Sequence, residues 1–168
     1  MDHIDDDIDI IYYKIHLDNT DVDWGSEVLS NMDNIKEGID KWNQISVYKE
    51  DENGRLRAYP LVRFVDVDEL EDASNIDVNV DIRFEDTNEW QPFLGITAPI
   101  ESSLVGEDST FTNGVYHKHY TKYSITLYPN QINSYERTMA HELGHVLGLK
   151  DVDAVSYTHL TLPTKRIV

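Results

Sequence analysis

Two histidines stand four residues apart near the end of the chain, with a glutamate directly after the first: His141-Glu142-Leu143-Gly144-His145. On a helix, positions i and i+4 lie one turn apart on one face, so both imidazoles converge on a single cation. Zinc favours such nitrogen donors, and Glu142 is offset to the side where a bound water would lie. Gly148 and Asp151 extend the pattern to HExxHxxGxxD. The glycine lets the helix stop and the chain turn back sharply, which brings Asp151 under the cation as a third ligand. Three protein ligands leave a fourth position for water, the mark of a catalytic site and not a structural one. By chance HExxH turns up in roughly 1–2% of chains this long, and the added Gly and Asp lower that by roughly two orders of magnitude. Two plainer readings stand beside this one: an amphipathic helix with a surface His pair, and Asp153 as third ligand, two residues off that spacing.

These side chains need elements to hold them. Met139, Leu143, Val146 and Leu147 form a buried stripe that leaves His141 and His145 on another face of the same helix. Asn133 with Glu136 three residues on predicts a capping box at its start, and Gly148 predicts a left-handed cap at its end. Earlier, Val28, Met32, Ile35, Ile39 and Trp42 define one face of a long helix, with Ser26 as its N-cap, after a turn at Asp23-Trp24-Gly25. That stripe is core, and it needs a sheet to lie on. Strands are expected over 10–17, 45–48, 61–67, 76–84, 94–100 and 123–128, with a turn at 51–54 and polar loops at 66–72 and 101–114. Gly95 and Pro99 push the strand over 94–100 towards a sheet edge. The order is strand, long helix, several strands, helix, which is an α+β or α/β layout with a twisted mixed sheet.

Composition narrows the partners. The 168 residues carry 14 Lys and Arg against 32 Asp and Glu, a formal charge of −18. A field that negative repels phosphate backbones, so nucleic acid and anionic membranes are poor partners. There is no cysteine, which excludes disulfides, thiol catalysis and thiolate-bound zinc. No apolar run approaches the ~18 residues of a membrane span.

At HExxHxxGxxD the chain resembles the metzincin metalloproteases, whose signature ends in His or, in some branches, Asp. The Asp form is similar to the small secreted snapalysin-type bacterial proteases, and HELGHVLGL is similar to the matrixins. The resemblance implies a zincin-like α+β fold: a five-stranded twisted mixed sheet with an antiparallel edge strand, one long backing helix and a C-terminal active-site helix. It implies one catalytic zinc on His141, His145 and Asp151, with Glu142 as general base. It also implies that a protein or peptide substrate lies extended along Gly95, Ile96, Thr97 and Ala98. The expectation that follows is a secreted, monomeric zinc endopeptidase that splits peptide bonds with zinc-activated water. Asp151 in place of His leaves the subfamily open. A catalytically silent zincin-fold binding module is the competing class; the intact Glu142 argues against it. His117 and His119 could bind a second, structural zinc, as matrixin histidines do, and the acidic runs 5–9 and 66–72 could bind calcium. Solvated side chains are the plainer reading of both.

Residues 155–164, VSYTHLTLPT, resemble the translation of a transposase adapter used to build sequencing libraries, ten residues of ten. Residues 154–168 are therefore expected to be non-native, and the catalytic domain is expected to be 1–153, cut before the Met-containing turn of the family. Without that tail the basic count falls by Lys165 and Arg166 to 12 and the charge becomes −20. Such a truncated form is a candidate for an inactive fragment.

Overall fold

Alternating β-branched and aromatic residues become strands only where a neighbour takes up their main-chain bonds. The computed structural model describes residues 2–18, 25–86, 92–105, 110–112 and 115–151. Asp153, the 154–168 tail and most of the expected turn at 23–25 lie outside the described residues. In chain order the elements are β1 (His3–Ile4), β2 (Ile11–Ile15), α1 (Gly25–Ser30), α2 (Met32–Asn43), β3 (Ser46–Glu50), β4 (Leu56–Pro60), β5 (Phe64–Asp66), β6 (Val80–Phe84), β7 (Gly95–Pro99), β8 (Thr110–Thr112), β9 (Val115–His117), β10 (His119–Tyr120), β11 (Tyr123–Leu127) and α3 (Tyr135–Val146). Among the described residues no helix is long and apolar enough to cross a membrane.

The architecture is α+β with a five-stranded mixed sheet in the order β5-β2-β6-β11-β7. The first four strands run parallel, and β7 is antiparallel to β11 at the edge. In β2, β6 and β11 every second residue is buried, as period-2 alternation requires. Those side chains join Val28, Ile35, Ile39, Met139, Leu143 and Val146 in one core. Ile125, Leu127 and Leu143 have no exposed surface; burying each contributes about 1.5–3 kcal/mol.

Some expected elements shift, each for a local reason. The strand over 76–84 starts only at Val80, because Asn79 takes its place as a clamp. Its side-chain oxygen accepts from Tyr12 N at 2.8 Å, and its amide nitrogen donates to Thr121 O at 3.0 Å. The strand over 61–67 shrinks to β5. The residues before it form β4, the second arm of a hairpin with β3. That hairpin is largely exposed, so burial left no alternation to read. Its turn is held instead by Gly54 at φ 74° and by Asp51 Oδ1, which accepts from Asn53 N and Arg55 N at 2.9 Å each. Ser26 lies inside the first turn of α1 and is not its cap. The cap of α3 is Ser134, not Asn133: its Oγ accepts from Arg137 N at 3.3 Å. Glu136 leaves the capping box and pairs with Lys41 at 2.7 Å, tying α3 to α2.

The long stripe folds as two helices interrupted at Asn31, and α2 lies directly against α3. Trp42 Nε1 donates to Ala140 O at 2.8 Å. Gly38 permits the close crossing, since a Cβ there would stand 2.4 Å from Glu136 O. Gly38→Ala is therefore expected to destabilise the fold by about 1–3 kcal/mol through overpacking against backbone, outweighing up to ~1 kcal/mol of gained helix propensity. Urea denaturation checks this; a variant as stable as the parent would show that the two helices can part.

Candidate functional site

The metal-ligand spacing read from the sequence requires a helix, a sharp stop and a return, and α3 supplies all three. After Leu147 the chain closes with a paired cap: Leu149 N donates to Gly144 O at 2.9 Å and Gly148 N to His145 O at 3.0 Å. Gly148 sits at φ 93°, where a side chain is strained. Leu149 folds back over Gly144, whose own lack of a Cβ admits the Trp42 ring at 3.3 Å from the position a Cβ would occupy. This return carries Asp151 to the imidazoles.

Three donor atoms meet there. His141 Nε2 and His145 Nε2 are 3.1 Å apart, and Asp151 Oδ1 lies 2.9 Å from the first and 3.4 Å from the second. A tetrahedral ion with donors at ~2.0–2.1 Å holds them ~3.3 Å from one another, so the three separations fit one small cation. The three residues could together hold one metal ion. His145 Nδ1 is 2.8 Å from the Leu149 carbonyl, which only accepts, so this nitrogen donates and Nε2 is the one turned to the cluster. The same cap that turns the chain thus also orients the His145 ring. Spacing alone does not reveal this role of Leu149, because it belongs to a main-chain oxygen.

Glu142 lies beside the cluster and is only 4% exposed. Thr97 Oγ1 is 3.1 Å from its Oε2 and 3.1 Å from its main-chain oxygen. Burial holds the Glu142 carboxyl above its ordinary pKa; His145, the Thr97 hydrogen bond and His141 pull the other way, and Asp151 adds to the rise. Gly95 also approaches Glu142: a Cβ there would stand 3.1 Å from Oε1 and 2.9 Å from Leu127. So β7 contributes a hydroxyl and a gap to the site as well as an edge.

That edge has a readable polarity. Tyr128 N donates to Leu94 O at 3.0 Å, and Ile100 N to Lys122 O at 3.0 Å. These two bonds mark the even positions of β7 as those bonded to β11. Ile96 and Ala98 therefore turn their main chain inward, and Gly95 and Thr97 turn theirs to the open side. The open side lines a cleft of about 850 Å³ together with Phe93, Thr138, His141, Glu142, His145 and Asp151. All four expected edge-strand residues lie on β7, but only two of them offer free main-chain groups.

The other expected metal ligands are sorted differently. Asp66, Asp68 and Glu69 turn to lysines: Lys36 reaches Asp66 at 3.4 Å and Glu69 at 3.1 Å, and Lys14 reaches Asp68 at 2.8 Å. They form no three-ligand cluster among the described residues. His119 joins a cluster with His3 and Asp6, and His117 stays outside it. No protein-family model, curated protein or solved structure matches this chain.

Gly148→Ala is expected to cost about 1–3 kcal/mol from the forced left-handed backbone. It is also expected to weaken zinc binding by roughly 10-fold or more by displacing Leu149 from His145. Zinc titration alongside urea denaturation checks both; unchanged zinc affinity would detach the cap from the site.

Proposed function

We propose that the chain is a zinc-dependent endopeptidase of zincin-like fold, of the kind its HExxHxxGxxD resemblance to the metzincins suggests. The observation that carries this reading is the convergence of His141 Nε2, His145 Nε2 and Asp151 Oδ1 beside a buried glutamate and an open strand edge. Both the donor set and the separations suit zinc. When bound, zinc lowers the pKa of water to about 7 and acts as a Lewis acid on the scissile carbonyl.

The chain's own residues do the rest. Gly95 and Thr97 pair their outward N–H and C=O groups with an extended peptide, adding it to the sheet as a sixth strand. That pairing lays the substrate along the cleft past Glu142. The Glu142 carboxylate takes a proton from the attacking water and returns it to the leaving amine nitrogen. Thr97 Oγ1 holds the carboxylate in place through that exchange. Leu149 holds His145 in the ligating tautomer. Peptide or unfolded protein is the substrate, and cleavage is internal, since a strand edge has no feature that demands a chain end.

Product analysis tests this against a silent binding module. Incubation with an unfolded protein should generate new internal amino termini, and 1,10-phenanthroline should abolish them. Retention of the peptide on the zinc-loaded protein with no new termini would favour the module.

A further inference from the structure

We infer that His3, Asp6 and His119 form a second divalent-cation site, one that staples the N-terminal strand to the segment leading into β11. One donor atom from each of the three lies within 4.8 Å of those of the other two. The backbone enforces this convergence. β1 and β10 pair in parallel with His3 opposite His119, so both side chains stand on one face. His3 N donates to Lys118 O at 3.1 Å and Asp5 N to Tyr120 O at 2.8 Å. A turn follows at once, with Ile8 N on Asp5 O at 3.0 Å and Asp7 N on Asp5 Oδ1 at 3.0 Å. It folds the Asp6 carboxylate back to 3.6 Å from His3 Nδ1. The two rings meet edge-on, centroids 4.4 Å apart, and the His3 Nδ1 contact with the Ile4 carbonyl at 2.7 Å fixes its ring. Since that carbonyl only accepts, Nε2 is the His3 nitrogen left to a cation.

Two imidazoles and one carboxylate suit zinc or another borderline first-row dication, and they are a poor set for calcium, which takes six or more oxygens. The position suits a structural ion. Each strand of this ladder is two residues long, too short to hold itself. Yet Ile4 and Tyr120 enter the core, and β1 touches α3. Asp2, just before it, lines the cleft of the first site. An ion here would fix that wall of the cleft without touching the reacting atoms.

Metal analysis after zinc loading and gel filtration tests the inference independently of the first site. The wild-type chain should hold two equivalents. His141→Ala/His145→Ala should hold one, and should melt at a higher temperature with zinc than without. Adding His3→Ala and His119→Ala should remove that last equivalent. Asp6→Asn, a change at a side chain that is 83% exposed and so compatible with folding, should weaken the remaining binding at least tenfold. His117→Ala should leave the count unchanged. Cobalt(II) in the His141→Ala/His145→Ala protein should give absorption bands that Asp6→Asn shifts. A His141→Ala/His145→Ala protein that holds no zinc, or one whose zinc is indifferent to Asp6→Asn and His3→Ala/His119→Ala, overturns the second site. A wild-type chain that holds two equivalents and hydrolyses nothing would overturn the proposed activity and leave this site standing.

Discussion

Glu142→Gln should lower peptide hydrolysis by roughly 10²–10⁴-fold while zinc content stays at the wild-type level. The amide keeps the shape of the side chain and still accepts the Thr97 hydrogen bond, but it no longer takes a proton. None of the three donor atoms is touched. The same variant carries a second expectation of opposite sign. Burial raises the carboxyl's pKa in the folded chain, so folding takes up a proton. Stability then falls as pH rises from the unfolded value, ~4.3, through the raised folded one. Metal-free protein carries that cost increasingly as pH rises above the unfolded value, and Gln removes it. Metal-free Glu142→Gln should therefore melt at or above the metal-free parent at pH 7, with the difference vanishing near pH 4. Loss of activity with a gain in stability is the signature of a group kept for chemistry. A parallel loss of both would reduce Glu142 to a packing residue.

Asp151→Ala should release the cleft zinc. A four-ligand structural zinc site is worth about 10–16 kcal/mol, so one protein ligand accounts for roughly 2.5–4 kcal/mol, or ~10²–10³ in affinity. Asp151 is on the surface, with a side chain 70% exposed, so its removal should leave the fold and the denaturation midpoint of the metal-free protein unchanged. Asp151→His should restore binding, because an imidazole nitrogen is as good a zinc donor as a carboxylate oxygen. Asp153→Ala should change nothing, which separates the two candidate third ligands. Competition with a fluorescent zinc chelator reads all three variants. Unchanged affinity in Asp151→Ala, or loss in Asp153→Ala, would reassign the ligand.

The site was legible in the sequence where its determinants are local. His141, Glu142, His145, Gly148 and Asp151 span eleven residues, and one helix with one left-handed cap relates them. The edge character of β7 was visible in Gly95 and Pro99. The alternation in β2 and β11 and the apolar stripes of α2 and α3 follow from burial on one face. The Asn133 cap was misplaced by one residue because Ser and Asn both accept from N–H groups, and the choice depends on where the chain enters the helix.

Features set by distant contacts were not legible. The Asn79 clamp, just before β6, ties β2 to the segment between β10 and β11 through one side chain. Thr97 reaches Glu142 across 45 residues of sequence. The His3–Asp6–His119 cluster needs a two-residue ladder between the chain's beginning and its last third. The hairpin of β3 and β4 is held by turn chemistry and main-chain bonds, with little apolar pattern to announce it. The −18 charge was read as surface repulsion. The net charge does not show which acids are paired: Asp66, Asp68 and Glu69 bind Lys14 and Lys36, and Asp151 faces two imidazoles.

The most direct measurement is a zinc titration of the apo-protein followed by hydrolysis of an internally quenched peptide. Activity should be absent before zinc. It should rise as the ion fills the His141, His145 and Asp151 position, and then level off. Glu142→Gln should bind zinc along the same curve and remain silent. A wild-type chain that takes up the ion at those three residues and cleaves no peptide at any loading would contradict the proposed activity.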